Sequence, residues 1–358
     1  ARMIRSLHVI GSREMGGAER WFARFLRAMQ RAGEPVEALV RKGGDLARHH
    51  LSGIPTGELP MRTVWDPLSR WEVSGYARRS QASVVQTYMG RATRLTHLKP
   101  GAGQVHVARL GGYYKIAQYR HAHAWVGNTR QLCDWLVQQG LPAQRVFHIT
   151  NFAGPAVPRD ETRVVELRKQ LEVRPEDWIM LHPARFVWFK GHATLIDALA
   201  RLPREVAGRR PRLVLLGEGG LRAQLEAQAQ GLGVMDRIVW AGWQQDPAQW
   251  FHAADMVVFP SRDDEPLGNV ILEAWAYAKP LVVTAFRGAR EIARHQHDAW
   301  MTPCDDPAAL AAGIEALVRD DDLRQRLVAE GSRRAVEDFG EAAIVDRYRG
   351  LYRLLTRE

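Results

Sequence analysis

The chain has 358 residues, which favours two domains over one. Its 46% hydrophobic and 25% charged residues suit a globular protein and exclude disorder. No run approaches the eighteen apolar residues that a membrane span needs. The net charge of +10 is uneven: residues 1–157 carry 22 Lys/Arg against 9 Asp/Glu, and the remainder 28 against 31. This asymmetry turns the first half towards something anionic, such as a phospholipid surface, a phosphorylated saccharide or nucleic acid, or else it reflects arginine-rich usage in a GC-rich genome.

In chain order, "ARMIRSLHVI" is too short and too interrupted for a signal peptide and reads as a first strand, 3–10. Gly11, Gly16 and Gly17 follow in "HVIGSREMGGAERW" (8–21), between that strand and a helix over 19–33. Glycines there allow close backbone approach to a ligand, and a helix start favours an anion. The G-x-G-x-x-G spacing of dinucleotide-binding proteins is absent. The helix places Trp21, Phe22, Phe25, Leu26 and Met29 on one face and its arginines mostly on the other. A segment at 64–81 mixes Trp65, Trp71 and Tyr76 with Arg70, Arg78 and Arg79. It suits either a lipid headgroup layer or an ordinary amphipathic helix. Strands are expected at 36–40, 83–87, 104–110, 124–128 and 145–149. Cys133 and Cys304 are far apart and read as reduced structural thiols of a cytosolic chain.

The Pro/Gly-rich stretch 151–161 reads as a linker. A second alternation follows, with strands expected at 177–185, 211–219, 236–243, 255–261 and 280–285. The tail from about 306 reads as three helical pieces. The expected organisation is a domain over 1–156, a second over 157–338, and a closing stretch 339–358. That closing stretch contains a helix with Ile344, Val345, Tyr348, Leu351, Tyr352 and Leu355 on one stripe, which is helix-packing spacing. Two successive α/β units of similar size imply two doubly wound sheets facing a cleft.

Two loops of the second half carry chemistry. In "ARFVWFKGH" (184–192), Arg185 and Lys190 follow a strand and would neutralise a diphosphate as a leaving group takes up charge. In "DDEPLGNVILEAWAYAKP" (263–280), Glu265 precedes a turn and Glu273 lies in the helix after it. A glutamate on the inner part of a helix needs partners, and ribose hydroxyls would serve. The NH groups of Gly268, Asn269 and Val270 form a helix start suited to a phosphate. Asp263 and Asp264 are read as a solvated acidic loop rather than a metal site. "LLGEGG" (215–220) adds further glycines for close approach.

These elements together resemble the retaining glycosyltransferases of family 4, which have the GT-B fold. The matching stretches are "GGAER" (16–20), "ARFVWFKG" (184–191), "GEG" (217–219), "AGWQQD" (241–246), "ADMVVFPS" (254–261), "EPLGNVILEA" (265–274) and "GARE" (288–291), in the family's order over most of the chain. The resemblance implies that Arg185 and Lys190 hold the donor diphosphate and that Glu273 binds the ribose hydroxyls. It implies that Glu265 faces the donor sugar, and that Leu267, Gly268, Asn269 and Val270 meet phosphate and sugar through backbone NH groups. Gly16 and Gly17 would approach donor phosphate and acceptor, and Gly217 and Glu218 the nucleotide. It further implies transfer with retention, no bound metal and no cofactor beyond a nucleotide-sugar substrate, UDP favoured. The last helix is expected to return to the first domain.

One departure stands out. Many members carry a histidine on a loop after a first-domain strand, and here "VARLGGYYK" (107–115) places glycine there. His106 is expected within the strand, in a structural role. Tyr113, Tyr114 and Lys115 are candidate acceptor contacts. Similar enzymes act on saccharides or lipid-linked saccharides in lipopolysaccharide or other envelope glycans, at the cytoplasmic face. This chain is therefore expected to be cytoplasmic and peripheral on an anionic membrane, with no nucleic-acid partner. A nucleotide-sugar epimerase shares the two-domain plan and would need no acceptor. A basic nucleic-acid-binding protein would explain the charge but not Glu265, Glu273, Arg185 and Lys190.

Overall fold

The computed structural model describes residues 3–357, the side chain of His49 excepted. Two compact units result. One comprises Ala1–Asn151 with Glu341–Glu358, the other Phe152–Gly340. We call them unit 1 and unit 2.

Unit 1 is built on a seven-stranded parallel sheet in the order β3-β2-β1-β4-β5-β6-β7. Its strands are β1 (Ser6–Ile10), β2 (Val36–Arg41), β3 (Thr56–Leu59), β4 (Val84–Tyr88), β5 (Val105–Leu110), β6 (Ala124–Gly127) and β7 (Val146–His148). Unit 2 holds a six-stranded parallel sheet in the order β10-β9-β8-β11-β12-β13. These are β8 (Asp177–Pro183), β9 (Arg210–Leu216), β10 (Ile238–Trp240), β11 (Met256–Phe259), β12 (Leu281–Thr284) and β13 (Trp300–Thr302). Central strands such as "MVVF" and "LVVT" are buried throughout, the continuous apolar runs that a sheet covered on both faces requires. In such sheets ligands bind beyond the carboxyl ends of the strands, where the order reverses. That point lies between β1 and β4 in unit 1 and between β8 and β11 in unit 2.

Two strands have no counterpart in the sequence reading, β3 and β13. Both are short edge strands. β3, "TGEL", alternates between exposed and half-buried positions. β3 carries the polar residues that blunt further pairing at an edge, and β13, three residues long, is too short to show an apolar run.

The helix Gly17–Arg31 buries Trp21, Phe22, Phe25, Leu26 and Met29, the face expected from their spacing. The helix Glu341–Leu355 buries Ile344, Val345, Tyr348, Leu351, Tyr352 and Leu355. The two helices meet through Phe25 and Tyr348, ring centroids 4.4 Å apart, and through the Arg31–Glu341 pair at 2.6 Å. Tyr352 donates to Gln86 Oε1 at 2.8 Å, so the last helix is part of unit 1. The unit boundaries fall at 151/152 and 340/341 rather than at 156/157 and 338/339. Ala153 N–H donates to the Phe339 carbonyl at 2.8 Å, and Ala153 bridges Gly340, which ties both crossing strands of chain into unit 2. Among the described residues no helix is long and apolar enough to cross a membrane.

Candidate functional site

Unit 2 places the two chemistry-bearing loops side by side at its switch point, one after β8 and one after β11. Their backbones interlock. Arg262 N–H donates to the Phe189 carbonyl at 2.8 Å. Gly191 adopts the left-handed region at φ 73°, and a Cβ there would collide with the Pro260 carbonyl oxygen. Only glycine meets both conditions, which accounts for "KG" after "FVWF". Side chains close the junction. Lys190 Nζ donates to Glu265 Oε2 in an ion pair that is mostly shielded from solvent. The same ammonium lies 5.3 Å from the ring centres of both Phe189 and Phe259. Glu265 is only 6% exposed, and Ser261 Oγ lies 3.4 Å from its Oε2. Burying a carboxylate is costly unless it is paired and hydrogen-bonded, and Lys190 and Ser261 meet that need. The resemblance implies that Glu265 faces the sugar and Lys190 the diphosphate, and the structure brings the two side chains onto each other.

Arg185 is exposed on the loop after β8. Its neighbour Phe186 donates N–H to the Glu218 carbonyl at 2.8 Å, and a Cβ at Gly217 would collide with the Ala184 carbonyl oxygen. The "GEG" turn thus packs on the "ARF" turn and fixes where Arg185 starts. The Glu218 side chain is exposed and faces Arg222 at 3.6 Å.

The helix carrying the second glutamate runs Asn269–Ala276. Its N-cap, Gly268, sits at φ 78°, and a Cβ there would meet Phe286 and Phe259 ring carbons at 2.6 and 2.8 Å. Leu267 and Val270 are buried, Asn269 is exposed and Glu273 is half-buried. Gly288 packs against Pro266 and Leu267, which leaves 2.5 Å for a Cβ; this is the work of "GARE". Trp275, on the same helix, donates Nε1–H to the Asp298 carbonyl at 2.9 Å. Asp298 in turn holds the buried Arg334. Asp263 pairs with Arg290 at 2.8 Å, so this loop is ion-paired rather than merely solvated. Behind it, His182 and His192 lie 4.4 Å apart. Burial, with Lys190 nearby, lowers both, His192 to about 4.

In unit 1, Gly16 is the extended N-cap and Gly17 the first residue of its helix. The Gly16 N–H already donates to Glu19 Oε2 at 2.9 Å. The helix start therefore holds a carboxylate of its own, Glu19, which is buried. The S/T-x-x-E capping signature would have shown Glu19 had glycine not stood at the cap. Space around Gly17 is open. His106 lies inside β5, fully buried, with Nε2 2.9 Å from Thr87 Oγ1. Tyr113 packs edge-on to Trp135 at 5.3 Å, Tyr114 stacks on Tyr119 at 6.0 Å, and Lys115 is exposed on the same turn. Ser261, Glu19 and the buried Arg109 are the site-region residues that sequence reasoning did not single out.

The family model for glycosyl transferases group 1 matches residues 164–334. The lipopolysaccharide core biosynthesis glycosyltransferase LpsE of Rhizobium meliloti is 33% identical over 340 residues, covering 93% of this chain and 94% of that protein. LpsD of the same organism, which carries the same description, is 31% identical over 94% of this chain and 95% of its own length. Among solved structures, Anabaena HepE in complex with UDP and glucose superposes with a TM-score of 0.78, at 21% identity, covering 97% of this chain and 99% of that one. The doubly wound pair of parallel sheets is therefore the GT-B fold, and the chain belongs to the group 1 glycosyltransferases.

Proposed function

We propose that this glycosyltransferase moves a sugar from a UDP-sugar to a saccharide or lipid-linked saccharide of the lipopolysaccharide core, with retention at the anomeric carbon and without a metal. The observation that carries the reading is the Lys190–Glu265 pair, set on the loops after β8 and β11, beside the glycine-capped start of the Asn269–Ala276 helix. A cation, a carboxylate and a helix start at one switch point suit a sugar diphosphate: the cation and helix dipole face phosphate, and the carboxylate faces hydroxyls. Arg185 supplies the second cation. Glu273 would hold ribose hydroxyls, with the Gly217–Glu218 turn next to the nucleotide. Leu267, Gly268, Asn269 and Val270 would present backbone N–H groups to phosphate and sugar.

The reaction needs charge stabilisation more than proton transfer. The C1–O bond to the β-phosphate breaks, the acceptor hydroxyl bonds C1 from the same face, and its proton ends on the released diphosphate. Fixed cations that grip the diphosphate more tightly as it leaves lower the barrier. The LpsE and LpsD relatives support the lipopolysaccharide core as the destination, and HepE with bound UDP supports a UDP donor.

The acceptor is assigned to unit 1, which carries 26 Lys/Arg against 12 Asp/Glu, while unit 2 carries 24 against 28. Gly16 and Gly17 would approach donor phosphate and acceptor, and Tyr113, Tyr114 and Lys115 line the acceptor side. Trp65, Leu68 and Trp71 are exposed around the start of the helix Pro67–Arg79, with Arg62 and Arg70 exposed among them. Arg94 stacks 4.1 Å over the Trp65 ring. Aromatic rings among arginines suit the headgroup layer of an anionic membrane, which makes the enzyme peripheral on the cytoplasmic face.

The test is a transfer assay with a panel of UDP-sugars and truncated lipopolysaccharide core acceptors in EDTA, with the anomeric configuration of the product read by NMR. An α-linked product from an α-donor, undiminished by EDTA, is expected. Inversion, or dependence on added metal, would overturn the mechanism.

A further inference from the structure

Arg109 and Arg237 are the two buried arginines among the described residues that no carboxylate pairs, and Arg237 is held by the carbonyls of Leu199, Leu202 and Pro203. Arg109 lies in β5, two residues before the glycine that replaces the expected histidine, and is 5% exposed. Each partner that the structure gives its guanidinium is neutral. Nη2 donates to Asn151 Oδ1, Nε donates to the Tyr348 hydroxyl at 3.2 Å, and Cζ sits 4.6 Å over the Trp21 ring. Glu19 is the acid in this neighbourhood, but its carboxylate accepts from the Gly16 N–H and forms no ion pair with Arg109. A buried guanidinium with no counter-charge is costly; Arg237 offsets that cost with three carbonyl acceptors, whereas Arg109 has one amide oxygen and one phenol.

The surroundings are shaped to admit one. At Gly111 a Cβ would stand 3.7 Å from Arg109 Nη1 and 3.6 Å from Asn128 Nδ2. The missing side chain therefore leaves open a point that two N–H donors flank. Asn128 is itself buried, and its Oδ1 has no hydrogen-bond partner among the described residues, nor has the Oγ1 of buried Thr150. Asn128, Thr150 and Asn151 lie just past the ends of β6 and β7, at the carboxyl edge of the sheet where ligands of such folds bind. Unsatisfied polar atoms in a buried cluster ask for a ligand or ordered water.

We propose that Arg109, with Asn128 and the space over Gly111, is a binding site for the carboxylate or phosphate of an acidic saccharide, so that this enzyme prefers a charged sugar. The proposal rests on the transferase reading only in taking the ligand to be a saccharide. The anion would be that of a uronic acid or a sugar phosphate bound by unit 1.

The full chain is titrated by calorimetry, with UDP present, with glucuronic acid, glucose 6-phosphate and glucose. The wild type is expected to favour a charged sugar over glucose by about ten- to a hundredfold, the range of a hydrogen bond to a charged group. Arg109→Gln is expected to erase that preference while leaving affinity for UDP alone unchanged. Asn128→Asp puts a carboxylate on the other flank of the opening over Gly111. By like-charge repulsion it is expected to erase the preference too. Equal affinity for charged and neutral sugars, or a preference that survives Arg109→Gln or Asn128→Asp, overturns the proposal. Failure of UDP itself to bind would instead count against the donor site in unit 2.

Discussion

Unit 1 and unit 2 are wound on the same plan, but they handle buried charge differently. In unit 2, Lys190 meets Glu265 and Arg334 meets Asp298, and buried Arg237 is held by three backbone carbonyls. In unit 1, buried Arg109 meets amide, phenol and indole, and a run of histidines stays neutral. His97, His106, His121 and His123 form one contiguous group, in which His97 and His121 stack at 4.0 Å. Burial lowers all four, together with His8, with His97 held at about 4 and His8 at about 3. A closed ion pair carries its own counter-charge and must be opened or shared when a ligand arrives. An open cation waits for one. Unit 2 thus holds Lys190 and Glu265 neutralised by each other, while unit 1 keeps the charge of Arg109 without a carboxylate partner.

The contrast breaks hardest at Asp298. Asp298→Ala leaves Arg334 buried with only the half-exposed Asp338 at 3.0 Å as counter-charge. It also leaves the Arg294 N–H without the Asp298 Oδ1 that accepts from it at 2.8 Å. Removing one partner of a buried pair costs about 3–5 kcal/mol, so a large drop in unfolding free energy in a urea melt is expected. A change below about 1 kcal/mol would mean that the pair is not the anchor described here.

Acidification should act on the other unit. The histidines of unit 1 have folded values below the unfolded value of 6.5, so the stability they contribute is present above pH 6.5 and is lost as pH falls towards about 4. Each proton taken up on unfolding makes stability fall by about 1.4 kcal/mol per pH unit. Unit 1 has five such histidines, against His182 and His192 in unit 2. Pulse proteolysis at pH 7.5 and pH 5, read peptide by peptide, is expected to show unit 1 losing more protection. Equal loss in both units would contradict the account of the histidine group.

The smallest effect belongs to the surface. Replacing Trp65 and Trp71 by serine should leave folding intact, since both are mostly exposed, 73% and 66%. Flotation with anionic vesicles at low salt should then weaken several-fold, by a few tenths to about 1 kcal/mol per ring. Undiminished flotation would move the membrane face elsewhere on unit 1.

What could be read beforehand follows from how local each signal is. The loops after β8 and β11 are contiguous strand–turn–helix stretches, so their residue types and glycines were visible at once. So was the stripe on the last helix, which depends only on 3.6-residue periodicity. The Lys190–Glu265 pair spans 75 residues and emerges only when β8 and β11 become neighbours. Arg109 was passed over because its character is an absence: nothing in "VARLGG" says that its partners, Asn151 and Tyr348, are neutral. The edge strands β3 and β13 lacked the apolar runs that mark a sheet's centre, and Glu19 hid behind a glycine that seldom announces a cap.

The central claim is that the cations of unit 2 take the negative charge of a nucleoside diphosphate. The most direct measurement is calorimetric affinity for UDP and for uridine, in the wild type and in Arg185→Met combined with Lys190→Met and Glu265→Gln. The last change removes the carboxylate that would otherwise be left buried and unpaired. The account predicts that UDP affinity falls by about a hundredfold or more, the sum of two charge-assisted contacts, while uridine affinity is unchanged. UDP binding that is undiminished in the triple variant would contradict it.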